Sequence, residues 1–237
     1  MTPEFIHFPK IARLSRLAIV TEKIDGTNAQ CLITEDGDIF AGSRSRWITP
    51  EDDNYGFARW VEGNKDTLLK LGPGRHMGEW WGLGINRNYG LKEKRFSLFN
   101  TVRWCNYGDA PQRIPMADPR IEKWQDVLPD GLRLVPKLRW SEFSTRVCHE
   151  ALDNLREYGS LAAPGFMRPE GIVVFHVAAN TAFKQTLEKD GEPKSGSASA
   201  DLQDIHARRD ARGRGAAGDH LGVQVVGLVA GDGFGMR

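Results

Sequence analysis

The sequence holds few cysteines, and their number and spacing exclude several classes of protein. There are three among the 237 residues, at Cys31, Cys105 and Cys148, and no C-x-x-C pair occurs. An odd, scattered set predicts neither a disulfide framework nor a cysteine-based zinc site. Because free thiols persist in reducing compartments, we expect a cytoplasmic protein, or one that is intracellular in a host cell.

Long apolar runs and an excess of charge of one sign are missing as well. No stretch reaches the roughly 18 apolar residues of a transmembrane helix, and the first residues lack the apolar core of a signal peptide, so we expect no membrane contact. The 32 lysines and arginines nearly balance the 31 aspartates and glutamates, and the formal net charge is +1. Binding of nucleic acid would therefore need a local basic surface.

What the sequence does contain is 40% hydrophobic residues, enough to build the core of one domain. The composition changes near Asp190. Residues 191–237 are rich in glycine, alanine, serine, aspartate and arginine, and show no sustained helical or strand period before 221–230. The sequence therefore predicts a folded domain over 1–190 and a flexible tail over 191–237.

Hydrophobic periodicity in the first part predicts both strands and helices. The predicted strands cover 17–24, 28–34, 39–43, 75–82, 95–104, 132–140, 171–177 and 181–188. The predicted helices cover 54–71, with an interruption at Gly63, and 142–158, and the proline-rich residues 105–120 predict a surface loop. The expected fold class is α+β, with antiparallel sheets packed on helices.

Lys23 stands out in the stretch TEKIDGTNAQ, where it ends an apolar run just before Asp25 and Gly26. As a folding residue it would be a strand-end lysine whose ammonium group reaches water. As a functional residue it would be a nucleophile. A lysine attacks only as a neutral amine, a state that partial burial and nearby cations favour. Gly26 would leave room for a ligand, and Asp25 and Asn28 could orient it.

Other polar residues flank apolar strands in the same way. Glu79 precedes two tryptophans and Glu170 opens an apolar strand. Such glutamates are usually solvated, but a carboxylate at a pocket rim is also a simple ligand for Mg²⁺. Arg44 and Arg46 lie in GSRSRW and suit phosphate or carboxylate groups. Phe99 would be a core residue by default, yet an aromatic ring near a pocket can also stack on a base.

Taken in order, the segments EKIDGTN, SRSRW, GEWWG, FSLFN, EGIVVF and FKQTLE resemble the covalent nucleotidyltransferase superfamily, and within it the RNA ligase 2-like family. The resemblance covers roughly residues 20–188. It implies an ATP-grasp-like nucleotidyltransferase ligase domain over 1–190, with no OB-fold after it. The nucleotide would lie in a cleft between the sheets.

The resemblance also implies an ATP-dependent reaction in three steps and a role for each matching residue. Lys23 would take AMP from ATP, the AMP would pass to an RNA 5′-phosphate, and a 3′-hydroxyl would displace it to seal the strand. Mg²⁺ or Mn²⁺ at Glu170 and the ammonium of Lys184 would neutralise developing charge. Arg44 or Arg46 would bind the ribose side or the incoming end, and Arg44 is the one that follows the first serine as in the family's Ser-Arg pair. The remaining nucleotide-binding positions are Glu22 for the adenine amino group, Ile24, Asn28, Glu79 for ribose and Phe99 for adenine. The partner would be RNA, and we expect a monomer.

One residue favours the RNA ligases over the DNA ligases and capping enzymes. Two departures from the family pattern concern the steps that follow AMP transfer to Lys23. DNA ligases and capping enzymes show K-x-D-G-x-R, whereas here Asn28 occupies the last position, as in the RNA ligase 2-like group. The family usually has K-x-K where this chain has Lys184, Gln185 and Thr186. It also often carries a helical carboxy-terminal domain where this sequence has the tail over 191–237. Both departures concern sealing of the RNA strand, whereas the residues expected for AMP transfer to Lys23 are present.

Other functions stay open at this point. One alternative is a DNA ligase or an mRNA-capping guanylyltransferase, which nucleotide and substrate preference would separate from an RNA ligase. Another is a degenerate module that binds a nucleotide or RNA without turnover. NAD⁺ is not expected as the AMP donor, because NAD-dependent ligases carry an extra amino-terminal domain and only about 20 residues precede Lys23.

Overall fold

Two sheets form the framework of the computed structural model, which describes residues 4–8, 10–106, 125–188 and 225–226. The first sheet is ordered β10 (Lys137–Glu142), β1 (Leu17–Lys23), β11 (Gly171–His176), β12 (Thr181–Thr186) and β13 (Val225–Val226). The second is ordered β4 (Trp47–Ile48), β3 (Ile39–Gly42), β2 (Thr27–Ile33), β5 (Gly74–Gly82), β6 (Lys94–Leu98) and β9 (Arg133–Leu134). A small third sheet pairs β7 (Cys105–Asn106) with β8 (Gln125–Asp126). The α-helices of the described residues are α1 (Phe57–Gly63), α2 (Lys65–Leu69), α3 (Thr101–Trp104) and α4 (Thr145–Tyr158).

Helix α4 covers one face of the first sheet. Ser144 caps it, since its hydroxyl accepts a hydrogen bond from the Val147 N–H at 3.3 Å. The apolar residues of α4 recur at helical spacing and pack on alternate residues of β1 and β11. The shared core contains Ala18, Val20, Leu138, Val147, Cys148, Ala151, Leu152, Leu155, Ile172 and Val174. Because side chains alternate along a strand, Thr21 and Lys23 project from the opposite face of β1.

Helices α1 and α2 cover one face of the second sheet. On β2, Ala29, Cys31 and Ile33 are buried on this face. Phe57 of α1 packs among the aromatic rings of the sheet, with centroid distances of 5.4 Å to Trp80 and 5.0 Å to Phe96. The other face of the sheet carries the residues that alternate with these, and it includes several of the predicted site residues.

The α+β class is confirmed, with one exception to the predicted antiparallel pairing. Every ladder in the two large sheets is antiparallel except that between β6 and β9, which run parallel. The chain between them leaves the sheet through α3 and β7 before it returns, and such a crossover allows parallel pairing.

The predicted strand over 95–104 is wrong after Leu98. Residues Thr101–Trp104 form α3, because the side chain of Asn100 accepts a hydrogen bond from the Arg103 N–H at 3.0 Å and caps the turn. The short β4 at Trp47–Ile48 was not predicted, since two residues give no readable alternation.

Two further predicted boundaries shift, and one is confirmed. The predicted strand over 132–140 is divided at Pro136, which has no N–H for a ladder, and its halves join different sheets. The predicted helix over 142–158 begins at Thr145, since Glu142 still pairs with β1. The interruption predicted at Gly63 is confirmed, because α1 ends there and α2 begins after Asn64.

The predicted tail over 191–237 lies outside the described residues, except for Val225 and Val226. These two pair with Phe183 and Ala182 of β12. The predicted loop over 105–120 also lies outside them beyond Asn106. Among the helices that the structure describes, none has the length and apolar character needed to cross a bilayer.

Candidate active site

The turn between β1 and β2 carries the chain from the first sheet to the second, directly after Lys23. Gly26 in this turn packs so tightly that an added Cβ would lie 2.5 Å from the carbonyl oxygen of Trp80. Its N–H donates a hydrogen bond to Glu79 Oε1 at 3.0 Å. Close packing therefore leaves room only for glycine at position 26. The hydrogen bond from its N–H holds Glu79 of the second sheet beside the end of β1.

Lys23 and Glu170 form an ion pair. Lys23 Nζ lies 2.6 Å from Glu170 Oε2, and both side chains are largely shielded from solvent. The pairing follows from strand register, because Lys23 lies opposite Gly171 and Glu170 immediately precedes it. A carboxylate within hydrogen-bond distance of an amine can accept its proton, so the pair has the geometry of a nucleophile and its base.

Glu79 is buried next to this ion pair. Burial raises the pKa of Glu79 from the ordinary 4.5 to about 7. The positive charge of Lys23 and the hydrogen bond from the Gly26 N–H lower this pKa, whereas the carboxylates of Glu170 and Asp25 raise it further. Glu79 thus carries a proton for part of the time at neutral pH. In that state it can donate a hydrogen bond as well as accept one, which suits a hydroxyl partner.

Lys184 lies on the same face of the first sheet as Lys23. It is directly opposite Val173, which in turn is opposite Thr21. Directly opposed residues of antiparallel strands share a face, so Thr21, Val173 and Lys184 form a row next to Lys23. Within the described residues, Lys184 has no carboxylate partner, and its charge is available to a ligand.

The neighbouring row contains Lys23, Gly171 and Thr186. Gly171 adds no side chain between the other two, and a Cβ there would lie 2.2 Å from the carbonyl oxygen of Gln185. Thr186 is thus about 10 Å from Lys23 across two strand spacings of ~4.8 Å. It stands where the resemblance found in the sequence implies a second lysine.

Asp25 is held by residues that the sequence reasoning missed. Its carboxylate accepts from Arg87 Nε at 2.9 Å and from Asn86 Nδ2 at 2.9 Å, and its N–H donates to Tyr89 Oη at 2.8 Å. All three partners lie in the loop after β5, where Asn86, Asn88 and Tyr89 have positive φ. The run GINRNYG was visible as a glycine- and asparagine-rich loop, and its central arginine was the available signal.

A polar cavity opens beside Asp25. Its lining also includes Asn86, Arg87, Phe166 and Arg168. Arg87 donates to the carbonyl oxygen of Arg168 at 3.1 Å and reaches Glu188 at 3.4 Å, so it joins the loop after β5 to both ends of the β11–β12 hairpin. This arginine therefore ties the second sheet to the first near Lys23.

Glu22 lies on the opposite side of β1 from Lys23. It shares a face with Val20, which packs under α4, and only 1% of it is exposed. Its carboxylate accepts from Ser160 Oγ at 2.5 Å and from the N–H groups of Leu161 and Ala162 at 2.8 and 3.0 Å. Burial raises its pKa, and these three hydrogen bonds oppose the rise. In this structure Glu22 therefore binds the segment after α4, which the sequence reasoning did not connect with it.

Ile24 and Phe99 meet in a small apolar cluster near the turn. Ile24 is buried with Trp81, Tyr89 and Ala163, and Phe99 packs against this group while staying partly exposed. The cluster sits between the end of β1 and the loop after β5. Its exposed rim at Phe99 offers an aromatic surface to a planar ligand.

Asn28 and Arg44 lie further along the second sheet. Asn28 is exposed and directly opposite Glu79. Arg44 is exposed in the turn between β3 and β4, and within the described residues it has no hydrogen bond or ion pair. Arg46 in the same turn is bound by Asp52, with Arg46 Nη2 at 3.0 Å from Asp52 Oδ1. Of the two arginines, Arg44 is the one whose guanidinium remains available.

The structure thus brings Lys23, Glu79 and Glu170 together and places Lys184 on the same sheet face as Lys23. The described residues contain no group of three or more histidine, cysteine, aspartate or glutamate side chains that could hold a metal ion by themselves. Mg²⁺ commonly binds to one or two carboxylates together with substrate phosphates and water. The carboxylate of Glu170, beside Lys23, fits that mode of binding.

Comparisons with solved structures return Naegleria gruberi RNA ligase. A variant with ATP and manganese has 18% identity and a TM-score of 0.44 over 73% of this chain and 50% of that chain. A variant with AMP and manganese has 17% identity and a TM-score of 0.44 over the same shares. A variant without ligand has 20% identity and a TM-score of 0.46 over 78% and 57%. This chain therefore spans about half the length of these structures.

No curated protein matches the sequence. The family model described as RNA ligase, however, matches residues 16–187. This range begins just before β1 and ends just after β12, so it includes both large sheets apart from β13, together with Lys23, Glu79, Glu170 and Lys184. Since the match covers more than half of the sequence, the chain belongs to the RNA ligase family.

Proposed function

We propose that the protein is an ATP-dependent RNA ligase in which Lys23 carries AMP. The observation that supports this most directly is the contact between Lys23 Nζ and Glu170 Oε2 at 2.6 Å, at the junction of the two sheets. Lys23 ends the buried strand β1 and precedes the tightly packed Gly26, so its backbone is fixed while its side chain reaches Glu170. A fixed, shielded lysine beside a carboxylate meets the requirements of an amine nucleophile.

In the first step the Lys23 ammonium gives up a proton, and Glu170 is the nearest group that can accept it. The neutral amine then attacks the α-phosphorus of ATP. A P–N bond forms, the bond between the α-phosphorus and the bridging oxygen breaks, and pyrophosphate leaves with the electron pair. Lys184 on the same sheet face supplies a positive charge for the phosphate oxygens as charge develops there.

In the second step an oxygen of the RNA 5′-phosphate attacks the phosphorus of the lysine-bound AMP. The P–N bond breaks and the amine of Lys23 takes up a proton. In the third step the RNA 3′-hydroxyl attacks the activated 5′-phosphate, a phosphodiester forms, and AMP leaves. Both steps need in-line positioning of the two RNA ends more than they need acid–base chemistry.

The nucleotide would be held by residues of both sheets. Glu79 would bind the ribose hydroxyls, since its raised pKa lets it donate as well as accept. Phe99, at the rim of the cluster around Ile24, would stack on adenine. Asn28 lies opposite Glu79 and would reach the same nucleotide. Glu22 would act on adenine through the position of the segment after α4 that it binds.

A divalent cation, Mg²⁺ or Mn²⁺, fits the single carboxylate of Glu170, because such ions often bind one protein carboxylate together with phosphates. Glu170 would hold it together with phosphate oxygens of ATP and water. When bound, it would neutralise negative charge that develops on the phosphates. Glu170 would then be shared between the cation and Lys23, so its contact with the amine would weaken.

The proposal is tested by incubating the protein with α-labelled ATP and Mg²⁺ and separating it under denaturing conditions. A label stable to denaturation is expected on the parent protein, absent from Lys23→Ala and unchanged in Lys70→Ala, which removes an exposed lysine at the end of α2. Mass spectrometry should place one AMP on the peptide containing Lys23. An unlabelled parent protein at neutral and alkaline pH would rule the proposal out.

The same assay separates the alternative functions. Preferential labelling by GTP would favour a capping guanylyltransferase, and sealing of DNA but not RNA nicks would favour a DNA ligase. Binding of ATP without a covalent label would indicate a degenerate module. Thr186, in place of a second lysine, supports a protein in which AMP transfer to Lys23 is more efficient than sealing.

A further inference from the structure

The second sheet presents two half-exposed aromatic rings on the same face as Glu79. Phe40 of β3 is 47% exposed and Trp47 of β4 is 48% exposed, and their ring centroids are 6.0 Å apart. The guanidinium of Arg75 lies 5.3 Å from the centre of the Trp47 ring. Together these three residues, Phe40, Trp47 and Arg75, form an aromatic platform.

Strand register fixes how the aromatic platform relates to the candidate nucleotide site. Asn28 and Glu79 form one row across β2 and β5. The next row on the same face contains Gln30, Gly42 and Trp47, and the one after it contains Leu32, Phe40 and Arg75. Successive rows on one face are two residues apart, or about 7 Å at ~3.4 Å per residue. The aromatic platform is thus continuous with the sheet face that holds Glu79.

Contacts with neighbouring residues of the sheet hold the aromatic platform in a fixed position. Trp47 lies over Gly42, where an added Cβ would meet the Trp47 ring at 3.1 Å and the Gln30 side chain at 2.9 Å. Gln30 in turn donates to the carbonyl oxygen of Ser43 at 2.9 Å and accepts a hydrogen bond from Arg75. These contacts hold the ring and the guanidinium in place, so a ligand would not have to order them on binding.

The charge of this surface is complementary to a phosphodiester strand. Neither Arg75 nor Arg44 in the adjoining turn has a carboxylate partner among the described residues. Arg46, by contrast, is neutralised by Asp52. Two available guanidinium groups beside two exposed rings form the combination that binds single-stranded nucleic acid, since rings stack on bases and cations meet the backbone.

We propose that the aromatic platform binds a single-stranded RNA segment adjoining the end to be joined, with a base stacked on Trp47 and the backbone against Arg75. The inference rests on the proposed function, because it takes the polynucleotide substrate as given. It adds a binding surface beyond the nucleotide site. The strand would run along the sheet face from Glu79 towards β4, with bases turned to the rings.

The test uses the full chain and a fluorescein-labelled single-stranded oligoadenylate, with EDTA present so that no reaction occurs. Fluorescence anisotropy gives Kd for the parent, Trp47→Ala and Trp47→Phe. Loss of one base–aromatic stack predicts binding about 5- to 150-fold weaker in Trp47→Ala, and Trp47→Phe should restore most of it. Tyr158→Ala is the matched control, since it removes a 51% exposed ring at the end of α4 and should leave Kd unchanged. Thermal unfolding confirms that each variant is folded.

An abasic strand of the same length identifies what Trp47 contacts. Parent and Trp47→Ala should bind it equally, because only the bases can stack. The inference is overturned if Trp47→Ala loses as much affinity for the abasic strand as for oligoadenylate. It is also overturned if neither Trp47→Ala nor Phe40→Ala weakens binding of oligoadenylate, or if the parent protein binds no single-stranded RNA. The AMP label on Lys23 is measured separately, so its absence would reject the proposed function without altering the reading of the binding data.

Discussion

Lys23 and Glu170 are 147 positions apart in the sequence, and their side chains meet at 2.6 Å. The contact depends on the antiparallel pairing of β1 with β11, which sets Lys23 opposite Gly171. The pair therefore exists only in the folded domain.

Glu170→Gln should abolish the AMP label on Lys23 while the protein stays folded. The amide keeps a hydrogen-bond acceptor for the lysine but loses the negative charge that accepts a proton and attracts a cation. We expect labelling to fall by about 10²-fold or more, the scale for losing one charge-stabilising group. Glu62→Gln, at an exposed position of α1, is the control. Labelling by Glu170→Gln within a few-fold of the parent would contradict this role.

Glu79 should make stability fall with rising pH. Its pKa is raised by burial to about 7 in the folded state from an ordinary 4.5, so the folded state binds more protons between these values. Unfolding free energy should therefore decrease from about pH 4.5 to 7, by roughly 3 kcal/mol from this group at 1.36 kcal/mol per pKa unit. Urea unfolding at pH 5 and pH 8 measures it.

Glu79→Gln is the variant that isolates this contribution. It keeps an acceptor for the Gly26 N–H but cannot ionise. Its stability relative to the parent should be greater at pH 8 than at pH 5 by up to about 3 kcal/mol, whereas Glu22, also with a raised pKa, contributes to both proteins and cancels. The same stability difference at both pH values would show that Glu79 does not titrate in this range.

Gly26→Ala should damage both the fold and the site. The new Cβ would lie 2.5 Å from the Trp80 carbonyl oxygen and 2.7 Å from Trp81 Cβ, so the turn must move away from the second sheet. We expect a loss of about 1–3 kcal/mol, the usual cost of overpacking, together with loss of the AMP label. Gly63→Ala is the control, because a Cβ there meets nothing within 4 Å. Chemical denaturation and labelling of the two variants give the comparison.

Glu22→Ala should destabilise the segment after α4. It would leave the buried N–H groups of Leu161 and Ala162 without their carboxylate and would open a cavity, which together cost about 2–4 kcal/mol. Hydrogen exchange of these two amides should accelerate, and Glu35→Ala in an exposed turn should change neither quantity. A variant of unchanged stability that binds ATP more weakly would instead place Glu22 in direct contact with adenine.

Thr186→Lys should shift the balance between AMP transfer and sealing. Residue 186 lies in the row of Lys23, about 10 Å away across two strands, and projects from the same face. A lysine there would add a second cation for phosphate groups, so we expect about tenfold more sealed product per AMP-activated RNA. Gln185→Lys adds the same charge on the opposite face and serves as the control. An equal effect of both variants would indicate general charge rather than position.

The sequence predicts most of the strands and the residues that meet at Lys23. Glu79 and Lys184 lie in strands and Glu170 directly precedes one, so their surroundings have a local sequence pattern, and their order along the chain resembles a known series. The partners of Asp25 and Glu22 were not predictable in the same way. Arg87 and Ser160 lie in loops, and only the tertiary packing of the two sheets brings them to residues 62 and 138 positions away.

Local polar contacts explain the errors in secondary structure. A cap from Asn100 outweighs the apolar run that favoured a strand over 95–104, and periodicity does not detect a cap. Pro136 divides a continuous apolar segment because one missing N–H ends a ladder. The aromatic rings at Phe40 and Trp47 gave no signal in the sequence, since their proximity depends on the register of β3 with its neighbours.

The turn at Ile24–Gly26 joins two sheets, and each sheet contributes part of the candidate site. Lys23, Glu170 and Lys184 belong to the first sheet, whereas Glu79, Asn28 and the aromatic platform belong to the second. The hydrogen bond from the Gly26 N–H to Glu79 joins the two halves directly beside Lys23. It therefore fixes where Glu79 lies relative to the Lys23–Glu170 pair, so the spacing between the ribose-side carboxylate and the lysine depends on one backbone N–H.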